Sequence, residues 1–440
     1  MPPTHTLMTH TDMIPWLTNP GAGALLMRDI PGVGGDIKQH PDDFIVEEIP
    51  SYEPVGEGEH LYLFIEKRDL TTTQAVGIVA RRFGVRRGAV GYAGMKDKRA
   101  VTRQWLSVHL PGHDESTPAE VHDERLTTLR SDWHANKLRI GHLAGNRFTI
   151  TIRNCDPARA GDALCTLEAL ATTGFANRAG EQRFGSTARN HLLGRAELLG
   201  DAQSALELLL APTGADDRGD EQARQRYAAG DYAGALALFP KTARSERHAL
   251  RALIQGGDAD RAIGTIDMTQ RRFWVSAFQS AVFNRILDLR IESDELATLR
   301  EGDLAMKQRN GAVFAVDAQT LADPDTHARL AELKISPTGP IWGSQMMRAK
   351  GLTGEIEQAA LDETGVTLED IARFESRTRQ PVAGARKALR APLDVSDAPP
   401  EVEAGADEHG PFIRCRFTLP RGAFATEIMR EVMEPEINHA

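Results

Sequence analysis

The sequence predicts an α+β protein in which a mixed sheet domain is interrupted by a mostly helical insert. Three observations predict it. Short alternating segments bounded by Pro and Gly dominate from about residue 26 to 200. From about 200 to 380 the chain becomes rich in Ala, Leu and Arg and loses that alternation. Strand-like sequence returns at FIRCRFTLP, 412–420. At 440 residues the chain is also too long for one ordinary core. The expected layout is a flexible tail at 1–25, a split sheet domain at 26–200 and 381–440, and an insert at 201–380.

In chain order, DFIVEEI (43–49) and HLYLFIEK (60–67) predict strands. TTTQAVGIVARRFG predicts a helix. Thr71 and Gln74 have capping-box spacing, Ala75, Val79 and Phe83 recur at helical period, and Gly84 stops it. AVTRQWLSVHL alternates as a strand, with Leu106, Val108 and Leu110 on one face and Arg103, Trp105 and Ser107 on the other. KLRIGH and RFTITIRN predict two strands joined around Gly145 and Asn146. In DPARAGDALCTLEALATTG, Asp156 suits a helix N-cap, Pro157 the first turn and Gly174 the end. The long helix MTQRRFWVSAFQSAVFNRILDLRI carries an apolar stripe of Val275, Phe278, Val282, Ile286 and Leu289. A last helix begins near Thr426.

Composition narrows the function classes. With 41% hydrophobic and 26% charged residues, this is the make-up of a soluble globular protein. No apolar run reaches the ~18 residues a membrane helix needs, and the N-terminal stretch lacks the form of a signal peptide. Cys155, Cys165 and Cys415 are isolated, so a reducing cytoplasm is expected, with neither a disulfide framework nor a zinc site. Gly32-Val33-Gly34-Gly35 lacks the ending of a phosphate loop and reads as a turn, so no nucleotide cofactor is expected.

Net charge is −10, yet it is unevenly spread. Between 81 and 103 lie Arg81, Arg82, Arg86, Arg87, Lys96, Lys98, Arg99 and Arg103, with Asp97 as the one acid. A basic face on an acidic protein is one reading and a solvated charged face the other. Asp97 falls in the polar turn entering a strand, a usual place for a catalytic group. Its charge would be favoured by nearby cations. The plain alternative is a surface turn with local salt bridges.

GYAGMKDKRAVTRQ resembles the signature of the TruD family of tRNA pseudouridine synthases, roughly AGxKDxxAxTxQ, through Ala93, Gly94, Lys96, Asp97, Ala100, Thr102 and Gln104. IKQHPDDFIVEEI (37–49), GHLAGNRF (141–148), NRAGEQRFG (177–185), VSAFQSAVFNRIL (275–287), PTGPIWG (337–343) and LPRGAFATEIMRE (419–431) resemble further family stretches, in the family's order. The resemblance implies a pseudouridine synthase-type catalytic domain, with a mixed, mainly antiparallel sheet, interrupted by a TRUD-type insert. It implies isomerisation of uridine in tRNA at position 13, with no metal or cofactor, by a monomer. Asp97 would act on the flipped uridine, as nucleophile or base, with Lys96 as electrostatic partner and Lys38 a second candidate. Gln104, Asn177, Arg183 and Phe184 would support the site. Arg81, Arg82, Arg86, Arg87, Lys98, Arg99, Arg103 and Arg178 would hold RNA.

One departure stands out. The family pattern before QRFG is close to NYFG or NYYG, and Ala179 occupies the aromatic position here. Arg178 and Phe184 are the candidates to stack instead. A different class of reading is an RNA-binding protein or chaperone of the same fold that has lost catalysis.

Overall fold

The computed structural model describes residues 14–112, 120–214, 219–393 and 398–434. They form two compact units. One comprises Leu25–Phe175 and Pro392–Ala440, and the other Ala176–Ala391 with the N-terminal residues through Ala24.

The first unit is built on a nine-stranded sheet. Its order is Glu401–Asp407, Gly410–Pro420, Leu143–Arg153, Phe44–Pro50, Val101–His109, His60–Arg68, Leu126–His134 and His122–Asp123, with Val90–Tyr92 also paired to Val101–His109. Phe44–Pro50 runs parallel to Val101–His109, with Ile45 opposite Val101. The other pairings are antiparallel. The sheet is therefore mixed and mainly antiparallel. Leu61, Leu63, Ile65, Leu106 and Val108 form one buried face under helix Thr72–Arg82, which contributes Ala75, Val76 and Val79. Tyr62, Trp105 and Leu143 cluster on the opposite face. The Val101–His109 strand is thus buried on both sides rather than alternating in and out, because strands and chain cover it on every flank.

Local signals account for the helices. Thr71 and Gln74 exchange both bonds of the capping box, and Gly84 turns the chain out at φ 65°. Asp156 caps a short turn, Pro157–Arg159, and the α-helix proper begins at Ala160. KLRIGH is not a strand. The strand is Leu126–His134 just before it, whose irregular polar pattern hides it in the sequence. Gly145 and Asn146 are not a turn either. They lie inside the strand Leu143–Arg153. The Gly32–Gly35 segment is irregular chain rather than the expected turn, and two of its N–H groups are already used. Val33 and Gly34 donate to the carbonyls of Val432 and Met433, both at 2.9 Å.

The second unit is mostly helical. Its axis is Met268–Glu292, which is buried around most of its circumference rather than along one stripe. Helix Asn190–Leu199 lies against it at Gly194, where a Cβ would come within 2.0 Å of the Trp274 carbonyl. That close approach ties residues 176–200 to the helical unit, so the division falls at 175/176 and 391/392 rather than near 200 and 380. A small antiparallel sheet, Val313–Ala315, Leu304–Lys307, Ile335–Ile341 and Ala385–Ala388, completes it.

Residues 14–24 are not the expected loose tail; residues 1–13 lie outside the described residues. Pro15–Thr18 forms a helical turn, and Leu17 is buried in a cluster with Ala179, Phe184 and Ala281. The Leu17 carbonyl meets His191 Nε2 at 2.6 Å, and Trp16 Nε1 donates to Glu363 at 2.8 Å. Ala179 itself is 9% exposed. Its amide N–H donates to Asn284 Oδ1 and its carbonyl accepts from Asn284 Nδ2, both at 2.9 Å. Small size at 179 therefore fits the N-terminal turn packed beside it.

Ala179→Tyr should overpack this cluster and destabilise the protein by about 1–3 kcal/mol. Adding Leu17→Ala should recover part of that loss, because the two side chains share one volume. Chemical denaturation of both single variants and the double variant measures the coupling; strictly additive losses would refute the shared-volume account.

Candidate active site

The turn at 94–100 is fixed from three sides. Lys96 N–H donates to Thr72 Oγ1 at 2.9 Å. Thr72 in turn bonds Gln104 Oε1 at 3.2 Å, and Gln104 Nε2 donates to the Gly94 carbonyl at 3.3 Å. Beneath the turn, the buried Lys67 ammonium donates to the Asp97 carbonyl at 2.9 Å and to the Leu70 carbonyl at 2.5 Å. Gln104 is thus a positioning residue for the loop. Gly91, just upstream, is required by packing. A Cβ there would lie 2.2 Å from the Leu138 carbonyl.

Held in this way, Asp97 presents a carboxylate that is 42% exposed. Its cationic partner is Lys38, with Nζ 2.8 Å from Oδ2. Lys38 sits in the left-handed region at φ 61°, and its ammonium lies 4.1 Å from the centre of the Phe44 ring. A lysine held in that backbone conformation costs energy, which fits a functional constraint. Lys96 does not pair with Asp97, contrary to the sequence expectation. Neighbouring side chains in the turn diverge, and Lys96 is directed inward. It forms a buried salt bridge with Glu48 at 3.1 Å and a hydrogen bond to Asn146 Oδ1. Glu48 also accepts from Trp105 N–H at 3.2 Å. Burial pushes the Glu48 carboxyl up, and the Lys96 charge opposes that.

Burial pushes Lys67 down to about 8, with the Asp97 charge working in the opposite direction. Lys67, Glu48 and Asn146 were not among the sequence candidates. The signal for two of them was strand register. Lys67 shares the inward parity of Leu61, Leu63 and Ile65, and Glu48 that of Phe44 and Val46. A charged residue in an inward register position needs a partner, and both partners lie in the Asp97 turn.

The basic cluster separates into two groups. Arg81, Arg82, Arg86, Arg87, Lys98 and Arg99 are exposed and form no salt bridge among the described residues. Arg103 is not available in the same way. It is held between Glu66 at 2.9 Å and Glu47 at 3.1 Å, on neighbouring strands.

The remaining candidates belong to the helical unit. Arg178 is not a surface contact or a stacking platform, because it is buried in an ion pair with Asp288 and donates to the Ala24 carbonyl at 3.3 Å. Phe184 is also buried, edge-on to His191 at 5.3 Å, and so has no free face for a base. Asn177 ties strands together through the Ala388 carbonyl at 2.9 Å. Arg183 donates to Ser276 Oγ at 3.0 Å and lies over the Phe273 ring at 5.2 Å. It makes no salt bridge among the described residues, and burial lowers its pKa.

Because Lys67 titrates near 8 in the fold and near 10.5 when unfolded, the folded chain binds fewer protons between those values. Stability contributed at this site therefore rises with pH from about 8 to 10.5 and is flat below 8. In denaturation curves at pH 8 and 10.5, the margin of wild type over Lys67→Met should widen at the higher pH. An equal margin at both would contradict the lowered pKa.

Comparison with known proteins bears on the family of the whole chain. The family model for tRNA pseudouridine synthase D (TruD) matches residues 23–432. A protein of Geobacter sulfurreducens named tRNA pseudouridine synthase D is 40% identical over 420 residues, 94% of this chain and 98% of that one. Its namesake from Syntrophotalea carbinolica is 38% identical over 413 residues, covering 94% and 99%. A crystal structure from Methanosarcina mazei, described as of the same kind, has a TM-score of 0.80 at 29% identity and covers 96% of this chain and 98% of its own. A match that spans both units, and both halves of the divided sheet, leaves one assignment: this chain belongs to the tRNA pseudouridine synthase D (TruD) family.

Proposed function

We propose that the protein isomerises uridine to pseudouridine in tRNA, at position 13, with Asp97 as the catalytic residue. It acts as a monomer in the cytoplasm and uses no metal or nucleotide cofactor. Family membership supports the reaction, and the observation that carries the residue assignment is the half-exposed Asp97 carboxylate paired with Lys38. Among the described residues, no helix is long and apolar enough to cross a membrane.

The reaction breaks the bond from ribose to the base nitrogen, turns the base and rejoins it through carbon. A stacked uridine is out of reach, so the nucleotide must leave the stack. The carboxylate works either by attack on the sugar or by taking a proton from it. Both routes need the charged form in a site that RNA partly dries. Lys38, 2.8 Å from the carboxylate, supplies the countercharge there. Lys67, beneath the turn, fixes the backbone from which the carboxylate projects. Six exposed cations, Arg81, Arg82, Arg86, Arg87, Lys98 and Arg99, serve as phosphate contacts. Arg103 and Arg178 do not, since their charges are already matched. Loss of catalysis, the rival reading, drew on the missing aromatic at 179, which the packing against Leu17 now explains.

Asp97→Asn should abolish tritium release from tRNA carrying carbon-5-labelled uridine while leaving tRNA binding within a few fold; retained turnover would remove Asp97 from the reaction. Lys38→Met should lower the rate, since the carboxylate loses the cation that holds it. An unchanged rate would count against that pairing. For six phosphate contacts, affinity should fall about a thousandfold between 50 and 200 mM salt. A flat titration would refute the phosphate role.

A further inference from the structure

A second feature of the sheet unit has no part in the chemistry at Asp97. Beyond the end of the Phe44–Pro50 strand, Tyr52, His134, Asn136, Lys137, Arg139 and His142 line a cavity of about 530 Å³. That is within the usual range of roughly 300–1,000 Å³ for small-molecule sites. Its aromatic groups are stacked as a platform. The Tyr52 and His134 rings lie 5.1 Å apart at 26°, and Tyr62 packs edge-on against His134 at 5.0 Å. Tyr52 stays 36% exposed, so the stack is open at its outer end. Its hydroxyl is fixed by His142 Nδ1 at 2.8 Å.

Two further observations point to a ligand. His134 is only 9% exposed, lines the cavity, and its Nδ1 has no hydrogen-bond partner among the described residues. A buried ring nitrogen left unpaired is costly, and a polar group or water carried into the cavity by a ligand would relieve it. The charge at the rim is also positive. Lys137 donates to the Gly88 carbonyl, and neither it nor Arg139 pairs with a carboxylate among the described residues. The acid at the rim, Glu53, is matched by Arg130 at 3.2 Å.

We propose that this pocket holds an unpaired nucleotide of the RNA substrate other than the target uridine. Its base stacks on Tyr52 beside His142, and its phosphate meets Lys137 and Arg139. An aromatic platform flanked by cations is the usual chemistry for a splayed base. The distance excludes the target itself. His134 pairs with His60 at one end of the His60–Arg68 strand, while Lys67 near the other end holds the Asp97 carbonyl. Seven residues of strand separate them by roughly 23 Å. The pocket is nonetheless joined to the Asp97 turn, because Gly141 N–H donates to the Ala93 carbonyl at 2.8 Å. The site would thus grip the RNA at a second point and set which uridine reaches Asp97.

The inference rests on RNA being the substrate, and its test separates the two claims. Tritium release from full-length tRNA should show a KM raised about 5- to 150-fold in Tyr52→Leu, with kcat within twofold of wild type, as expected for lost base stacking of about 1–3 kcal/mol. Tyr52→Phe, which keeps the ring, should stay within about threefold of the wild-type KM. Separately, tRNA carrying 2-aminopurine at single unpaired positions should be quenched at one position by wild type and not by Tyr52→Leu. Arg139→Ala, an exposed change, should reduce the salt slope of binding by about one. Unchanged KM in Tyr52→Leu, or quenching that does not depend on Tyr52 at any position, overturns the pocket. If wild type released no tritium, the activity assignment would fail instead, while the fluorescence and salt readouts would still decide whether RNA occupies the pocket.

Discussion

The site depends on one buried cation. Lys67 has no exposure to water, and its ammonium is taken up by the carbonyls of Asp97 and Leu70. An amine buried without hydrogen-bond partners would cost several kcal/mol. Here the relation works in both directions. The turn must fold back over the strand to satisfy the lysine, and the lysine holds the turn at the height where the Asp97 carboxylate emerges. The Thr72 hydroxyl and the Gln104 amide repeat the arrangement from the helix and the next strand. Asp97 is consequently placed by rigid elements although it lies in an irregular segment.

Charge around the turn is sorted by depth. Lys96 and Glu48 form a buried pair, where removing one partner would strand the other. Lys38 and Asp97 sit at the boundary, half in water, where pairing favours the carboxylate without locking it. Lys98 and Arg99 are outside, exposed to solvent. Adjacent residues in the chain thus serve three layers. An acidic protein can thereby present a basic surface around this one acid, since the excess acid is located on other stretches of the chain.

Much of this was legible in the sequence. The Thr71–Gln74 cap, the strand at 101–109 and the Asp97 turn follow from short-range rules that the structure obeys. Sequence and structure part where long-range packing decides. Arg178 reads as a surface cation because a sequence does not display Asp288, 110 residues away. Ala179 reads as a missing aromatic because the turn that packs beside it comes from the far N-terminus. The Leu126–His134 strand is camouflaged by its polar residues, which face the rim of a sheet rather than a core. The partner of Asp97 was ambiguous for a different reason. Lys96 is adjacent in sequence, yet successive side chains in a turn diverge, whereas Lys38 is 59 residues away and reaches across.

Strand parity is the sequence signal that points most directly to the buried charges. In an antiparallel sheet, an ionisable residue at an inward position is an anomaly that the fold must resolve with a partner. Lys67 and Glu48 both occupy such positions, on strands flanking the one that Asp97 enters. Each finds its partner in the 96–97 turn. Two independent anomalies resolved by the same short segment locate that segment without reference to any motif. The motif names the chemistry, and the inward charges show how the fold was made to hold it.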